Sequence, residues 1–333
     1  MIIDNTKVAD QTKAIERIPS KPGLIGALGL FRGESVASDA VTFDVRSNSL
    51  HILDDKMRNV DNKNAMAPEQ YDIHTLAIPH YPISNVIGRE KLAGVRAFGK
   101  EGELMIATAV ANELERQAER HDVHEEYLKA QMAINGKVVT NHYGTIDMAT
   151  EFGVVRPTQQ IDPAALLTTL RAATSKSKAG LMTGGRANGY VALVGATMFE
   201  ALLTSADVKT AYQFSNASGN PLRNELGSVA NGYSMFRMGN VDFILYDDSF
   251  SDKAGVQVNV LAAAAGVLVP RTELGRVFYG PASTLSGLGS FGSKRFATSY
   301  RDPKDRYIEV ESEQSTLAIN EQFGATVGLT LKV

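Results

Sequence analysis

Two histidines and two glutamates stand close together in the sequence, at His121, His124, Glu125 and Glu126. Imidazole and carboxylate groups are common ligands of Zn²⁺, so this cluster is the first candidate for chemistry. The zinc-hydrolase motif, however, separates its two histidines by four positions and places a glutamate directly after the first one. The sequence HDVHEE has neither feature. The cluster therefore indicates an exposed polar face of a helix.

Glycine-rich stretches are the second candidate, because glycines let a backbone cradle a phosphate or another anion. Residues 287–292 read GLGSFG and match G-x-G-x-x-G, but the residues after them do not begin a convincing helix, and we predict a flexible loop. Gly184, Gly185 and Gly189 with Arg186 could hold an anion, although a loop between a helix and a strand explains them equally well. No pair of carboxylates is singled out by its spacing. The sequence therefore gives little support to a soluble α+β enzyme, which we keep only as a distant alternative function.

The composition excludes several classes of protein. The 333 residues contain 34 Lys and Arg against 37 Asp and Glu, so the chain lacks the basic excess typical of nucleic-acid binding. There is no cysteine, which excludes disulfides, thiolate metal sites and cysteine nucleophiles. The N-terminus lacks the order of a signal peptide, and the longest apolar run, residues 260–269, is too short to span a bilayer. We expect a soluble protein.

A long helix must position the histidine cluster. An apolar stripe runs from Leu104 through Leu114 to Ala118 at three- and four-residue steps. No proline interrupts residues 101–135, and an Asn-Gly pair then gives a typical helix stop. A helix of this length would extend roughly 50 Å. The faces predicted to be exposed carry Glu113, Glu115, Arg116, Glu119, Arg120, Asp122, Glu125, Glu126 and Lys129.

A long hairpin precedes this helix. Residues 40–46 and 71–78 have the alternating apolar pattern of strands. Between them, residues 54–70 lose all periodicity and are charged and rich in asparagine. A hairpin of this length has too little core of its own to be stable alone in water. We expect it to lie on another surface, with a neighbouring subunit as one candidate.

The rest of the chain completes an α+β order. Residues 1–37 are polar and punctuated by glycine, which predicts a surface arm. Strands, a long helix, strands, two helices and strands favour an α+β arrangement over repeated βαβ units. The other predicted elements are hairpins at 137–148 and 233–246, helices at 162–176 and 197–212, strands at 190–194 and 325–333, and a central strand led by the valines of 256–260.

Three stretches resemble a known family. Residues 72–99 (DIHTLAIPHYPISNVIGREKLAGVRAFG), the long charged helix, and residues 134–153 (INGKVV…TIDMATEFG) are similar to the major capsid protein E family of tailed bacteriophages, the lambda-like head proteins. Residues 282–331 also resemble the closing pattern of that family: a glycine-containing loop, an aromatic and basic stretch, YIEVESE and a final strand. The resemblance covers most of the chain.

The resemblance implies the tailed-phage major capsid fold, which encapsulin shells share. In that fold a peripheral domain is built on a long spine helix, and an axial domain points to the centre of the capsomer. The implied units are an N-terminal arm (1–37), an extended loop with flanking strands (38–100), a peripheral domain with the spine helix and a hairpin (101–160), an axial domain (161–282) and a return to the peripheral domain (283–333).

A structural function follows from the resemblance. The chain would assemble as hexamers and pentamers into an icosahedral shell around double-stranded DNA. It would have no catalytic, cofactor or metal site. It would enclose the DNA without sequence-specific binding and would not associate with a membrane. Separate scaffolding, portal and decoration proteins would be its partners. The shell would be assembled in the host cytoplasm and reside in the virion. An encapsulin-like compartment around a protein cargo is the nearest alternative.

Charged residues at the base of the hairpin are the candidate contacts between subunits. Exposed ion pairs contribute only about 0–1 kcal/mol each. A pair that recurs at every subunit contact nevertheless helps to fix which surfaces meet. We expect Arg96 to contact a carboxylate of a neighbouring subunit. With Arg58 from the tip of the hairpin and Glu101 from the start of the helix, the complete candidate set is Arg58, Arg89, Lys91, Arg96, Lys100 and Glu101.

Overall fold

Two six-stranded sheets and one long helix make up most of the computed structural model, which describes residues 8–20, 23–47, 70–93, 102–181, 187–214, 232–252 and 254–332. The helices are α1 (Thr12–Glu16), α2 (Leu24–Ala27), α3 (Arg89–Ala93), α4 (Gly102–Ile134), α5 (Met148–Phe152), α6 (Leu166–Gly180), α7 (Ala196–Leu203) and α8 (Ala206–Phe214). The strands are β1 (Ala9–Asp10), β2 (Phe31–Ser35), β3 (Ala40–Ser47), β4 (Gln70–Ala77), β5 (His80–Gly88), β6 (Lys137–Val139), β7 (Thr145–Asp147), β8 (Thr158–Ile161), β9 (Tyr190–Val194), β10 (Met235–Met238), β11 (Val241–Leu245), β12 (Ser249–Ser251), β13 (Gln257–Asn259), β14 (Ala265–Pro270), β15 (Gly275–Tyr279), β16 (Phe296–Arg301), β17 (Tyr307–Asn320) and β18 (Val327–Leu331).

The first sheet is organised around β17, a strand of 14 residues. β5 pairs antiparallel with β17 over its first two-thirds, and β16 and β15 pair antiparallel with successive parts of it. β1 adds to β16, and β2 adds in parallel to β15. β17 therefore has backbone partners on both of its edges, β5 on one and β16 and β15 on the other, and is the central strand of the sheet.

The second sheet has the strand order β10-β11-β9-β14-β18-β8 and is covered on both faces. Helices α6, α7 and α8 pack on one face through residues such as Leu170, Phe199 and Val208. The opposite face packs on α2 and the C-terminal part of α4 through Ile25 and Ile134. Burial on both faces explains why β9 has no polar position and is fully buried.

α4 confirms the predicted long helix, and its 33 residues extend about 50 Å. Leu114 packs in a small core with α1, Leu128 packs against the first sheet, and Ile134 packs against the second. The helix ends at the predicted stop, where Gly136 has a φ of +66° and a Cβ would overlap the ring of Phe323. α4 therefore belongs to three cores and holds both sheets.

The hairpin of β3 and β4 is also confirmed, and its base packs on its own chain. Phe43 contacts Phe152 and Phe278 edge-on, with ring centroids 5.8 and 5.5 Å apart. β5 lies within the expected extended-loop unit of residues 38–100, yet it is a strand of the first sheet. The predicted tip at 54–70 lies, except for Gln70, outside the described residues.

The prediction of a surface arm is wrong for residues 8–20 and 23–35, which we call the N-terminal segment. Ile15, Leu24 and Ile25 are fully buried, and β1 and β2 complete the edges of the first sheet. The segment has few apolar residues, but each of them reaches a core. Its partners lie about 100 residues or more away in the sequence on α4 and more than 200 away on β15 and β16, so no local pattern in the sequence predicts the packing.

Three further expectations need correction. The helix predicted at 197–212 is two helices, because Ser205 caps the start of α8 by accepting from the Val208 amide at 3.4 Å. Val258 lies in β13, which forms a separate hairpin with β12, and the central strand β14 begins only at Ala265. β18 joins the second sheet rather than the sheet on which α4 rests at mid-length. The other predicted hairpins, α6, β9 and β18 itself are confirmed. In the described part of the chain no helix is apolar over enough of its length to cross a membrane.

Leu114 tests the orientation of α4. It is 3% exposed, whereas Val123 on the same helix is 57% exposed. We expect Leu114→Asp to reduce the free energy of unfolding by about 4 kcal/mol or more, because it buries an unpaired carboxylate. Val123→Asp is the matched control and should change the stability little. Thermal melting of the two variants measures the difference, and equal melting temperatures would show that the helix is rotated from this orientation.

Candidate functional site

A polar face of α4 is buried against β17. Gln117, His121 and Glu125 recur every four residues and so share one face of the helix. Gln117 Nε2 donates to the carbonyl of Val310 at 3.0 Å, and His121 Nε2 lies 2.9 Å from Ser312 Oγ. The expectation that the HDVHEE cluster is exposed is therefore wrong. We call this set the polar seam: Glu113, Gln117, His121, Asp122, Glu125 and Glu126 of α4, with Lys294, Arg295, Ser312 and Gln314.

Glu125 lies at the centre of the polar seam. Its carboxylate accepts hydrogen bonds from Tyr279 Oη at 3.1 Å and from Gln314 Nε2 at 3.2 Å. It also pairs with Lys129, and with Lys294 at 3.2 Å. Burial alone acts to raise the pKa of Glu125, but the two lysines outweigh it, and the pKa lies below its usual value. Glu125 is therefore ionised and paired at neutral pH.

Asp122 joins α4 to two distant parts of the chain. It accepts from Ser20 Oγ at 2.9 Å, pairs with Lys294 at 3.2 Å, and pairs with the buried Arg295. Removing one partner of a buried ion pair typically costs about 3–5 kcal/mol, because the other charge is left unpaired. Through Ser20, Asp122 holds the N-terminal segment against α4, and through Arg295 it holds the residues just before β16.

Glu126 caps a helix to which it does not belong. Its carboxylate accepts from the backbone amides of Ile25 at 2.6 Å and Gly26 at 3.0 Å, which are orphan donors at the start of α2. The residue in the N-cap position is Gly23, which has no side chain with which to cap. A Cβ at Gly23 would lie 2.6 Å from the Glu126 side chain, so glycine makes room for the distant cap.

The two histidines of the polar region are neutral and form no metal site with their neighbours. Burial lowers the pKa of His121 to about 4, with Arg295 adding to the effect. Burial likewise lowers the pKa of His124 to about 4, and its ring packs edge-on against Tyr81 at 4.1 Å. Within the described ranges, no group of three or more His, Asp or Glu is placed to hold a metal ion.

The candidate intersubunit residues are only partly described. Arg89 and Lys91 lie on α3 and are exposed. Lys91 Nζ donates to the carbonyl of Val86 at 2.7 Å and to Asn85 Oδ1 at 3.1 Å, which fixes this side chain to the end of β5. The remaining candidates, like Gly184, Gly185 and Arg186 of the glycine cluster, lie outside the described residues: Arg58, Arg96, Lys100 and Glu101.

Sequence reasoning missed the polar seam, although one signal for it exists. Gln117, His121 and Glu125 stand at a spacing of four, which marks one face of polar side chains able to pair as neutral and charged groups. The adjacent cations Lys294 and Arg295 are the matching half. Nothing in the sequence joins the two halves, since they are about 170 residues apart.

The whole chain, and not only its central helix, matches one protein family. The family model described as Phage major capsid protein E matches residues 7–331. The chain belongs to the phage major capsid protein E family. This confirms the resemblance drawn from residues 72–99, 134–153 and 282–331. The chain is accordingly a shell-forming structural protein of tailed phages.

Individual relatives agree with the major capsid protein E family along nearly their full length. The major capsid protein of Pseudomonas phage KPP10 is 25% identical over 335 residues, which cover 95% of this chain and 94% of the relative. The major capsid protein of Salmonella phage Felix O1 is 25% identical over 345 residues, with 93% and 92% covered. A crystal structure described as a prophage capsid protein of E. coli CFT073 has the same fold, with a TM-score of 0.65 and 14% identity over 96% of this chain and 95% of that one. The predicted tailed-phage capsid fold is confirmed.

Glu126 can be tested through the N-terminal segment. Glu126→Ala leaves two amides of α2 without an acceptor, at about 1–3 kcal/mol for each buried group. We expect a lower melting temperature, because α2 and the N-terminal segment are held less firmly against α4. We also expect faster trypsin cleavage after Lys13 and Arg17, whose side chains are exposed and whose backbone would become more mobile. Glu115→Ala, at an exposed position of the same helix, is the control. Cleavage at the wild-type rate in Glu126→Ala would contradict the capping role.

The buried histidines predict acid lability. Because their folded pKa of about 4 lies below the ordinary histidine pKa of 6.5, the unfolded chain binds protons first as the pH falls. Stability should therefore be complete above pH 6.5 and decline as the pH falls to about 4, by on the order of 3 kcal/mol for each histidine. The double variant His121→Gln, His124→Gln should lose much less stability between these limits. Melting temperatures measured against pH decide this, and parallel curves for the variant and the wild type would refute it.

Proposed function

We propose that copies of this chain assemble as hexamers and pentamers into the icosahedral head of a tailed phage, around double-stranded DNA. The observation that carries the proposal is the family match over residues 7–331, joined by a capsid-protein fold over 96% of the chain. The chain acts in this proposal as a wall and not as an enzyme. Its sites are the surfaces on which copies meet.

The fold suggests a role for each part. α4 and the first sheet would form the peripheral domain, and the second sheet with α6, α7 and α8 would form the axial domain at the centre of a capsomer. The hairpin of β3 and β4 would be the extended loop. The N-terminal segment, expected to be part of a surface arm, would instead belong to the peripheral domain, because it pairs with the first sheet and packs on α4.

The charge of the chain supports a wall that encloses DNA without gripping it. A net charge of −3 provides no general excess of cations for the phosphates of the genome. DNA would be enclosed without sequence-specific contacts. Scaffolding, portal and decoration proteins would be separate partners, and assembly would take place in the host cytoplasm. Contacts between subunits would include the exposed α3 and the Arg96 region that follows it.

Electron microscopy of the expressed chain tests this function. We expect closed, uniform shells from the chain alone or together with the neighbouring phage proteins. Shells recovered from infected cells should protect double-stranded DNA from nuclease. Shells that instead hold a protein cargo would favour an encapsulin-like compartment. A chain that stays monomeric under all these conditions and binds a small ligand would refute the structural function.

A further inference from the structure

One loop of the described chain presents three large apolar side chains to solvent. We call residues 284–291, between β15 and β16, the apolar loop. Leu285 is 90% exposed, Leu288 is 80% exposed and Phe291 is 72% exposed. Scattered exposed apolar residues are ordinary, but three within seven positions of one loop form a patch of the kind that marks a protein contact. The loop also contains no charged residue.

Hydrogen bonds within the apolar loop, and one from its C-terminal neighbour Gly292 to Val36, hold the loop in place. The Gly287 amide donates to the Thr284 carbonyl at 2.9 Å, and the Ser290 hydroxyl donates to the Gly287 carbonyl at 2.8 Å. The Gly292 amide donates to the Val36 carbonyl at 2.8 Å, and a Cβ at Gly292 would overlap the backbone of Tyr279. These hydrogen bonds favour an ordered loop over the flexible loop that the sequence predicts at residues 287–292. A loop ordered in this way loses little conformational entropy when it binds.

A groove of matching chemistry lies on the same chain. It has a volume of about 360 Å³ and lies between α1, the N-terminal half of α4 and β17. Its lining includes Ala14 of α1 and Ala107 and Ala111 of α4, whose small side chains leave room for larger ones. The charged residue on its rim, Arg301, is already paired with Asp305. We call it the alanine groove, and its main lining residues are Ala14, Ile106, Ala107, Val110, Ala111 and Ile308.

We propose that the apolar loop of one copy occupies the alanine groove of another copy in the shell, an inference that rests on the proposed capsid function. The loop carries no charge and the lining of the groove is mostly apolar, with the cation on its rim, Arg301, paired to Asp305, so the contact leaves no charge buried without a partner. Three such side chains bury on the order of 400 Å², about half of the roughly 800 Å² that each partner of a standard interface contributes. The contact is therefore too small for a lone dimer and suits a shell, in which other contacts accompany it.

The absence of cysteine allows a direct test by disulfide trapping. Leu288→Cys is placed in one chain and Ala107→Cys in a second chain that carries a tag of different size. We expect oxidation under assembly conditions to link the two different chains about tenfold faster than a control pair of Leu288→Cys with Val155→Cys. Val155 is 87% exposed and lies outside the groove. Equal rates for both pairs, or links mainly between two Leu288→Cys chains, would overturn the proposal.

A second measurement separates this contact from the capsid function itself. The double variant Leu288→Ser, Phe291→Ser should keep the wild-type melting temperature, because both side chains are exposed. We expect the concentration needed for shell assembly to rise about tenfold, and Val155→Ser to assemble like the wild type. Normal assembly of the double variant would overturn the loop contact alone. A wild-type chain that builds no shell would overturn the capsid function and this inference with it.

Discussion

Every carboxylate that α4 buries must find a cation or an amide, and this requirement determines how the parts of the chain meet. An uncompensated buried charge would cost more than most packing contacts supply. Asp122 and Glu125 meet Lys294 and Arg295, and Glu126 meets the first amides of α2. An apolar face of alanine and leucine could slide along a sheet by one helical turn at modest cost. The polar seam cannot, because its buried groups meet partners of the right kind in one register only.

This fixed register explains how one helix can hold two sheets. α4 contributes to the cores on the first sheet, on the second sheet and around α1. Since interiors are close-packed and deform little, displacement of one sheet would disturb the packing of the other through the helix. The polar seam and the three cores therefore make α4 and the two sheets one stiff unit, in a sequence that has no cysteine to form disulfides.

Local patterns in the sequence predict much of this fold. The helix signals at residues 101–136, the alternating strands of the long hairpin and the capped turn at Asp162 all depend on neighbours within a few positions, and the structure has each of them. The errors share a different cause. Ile15 and Glu126 look exposed because their partners lie on other elements about 100 residues or more away. Whether a polar helix face is buried is decided by what the rest of the chain brings to it, and one sequence does not display that.

The position of β17 in the chain also governs the order in which the fold can form. The central strand of the first sheet is residues 307–320 of 333, whereas β1, β2 and β5, which complete that sheet, come from the first 88 residues. On the ribosome, the early strands therefore have no partners in this sheet until β15, β16 and β17 have been synthesised. Pairing over such distances closes large loops and is slow. Until β17 emerges, the nascent chain exposes unpaired strand edges, which are prone to pair with the edges of other copies.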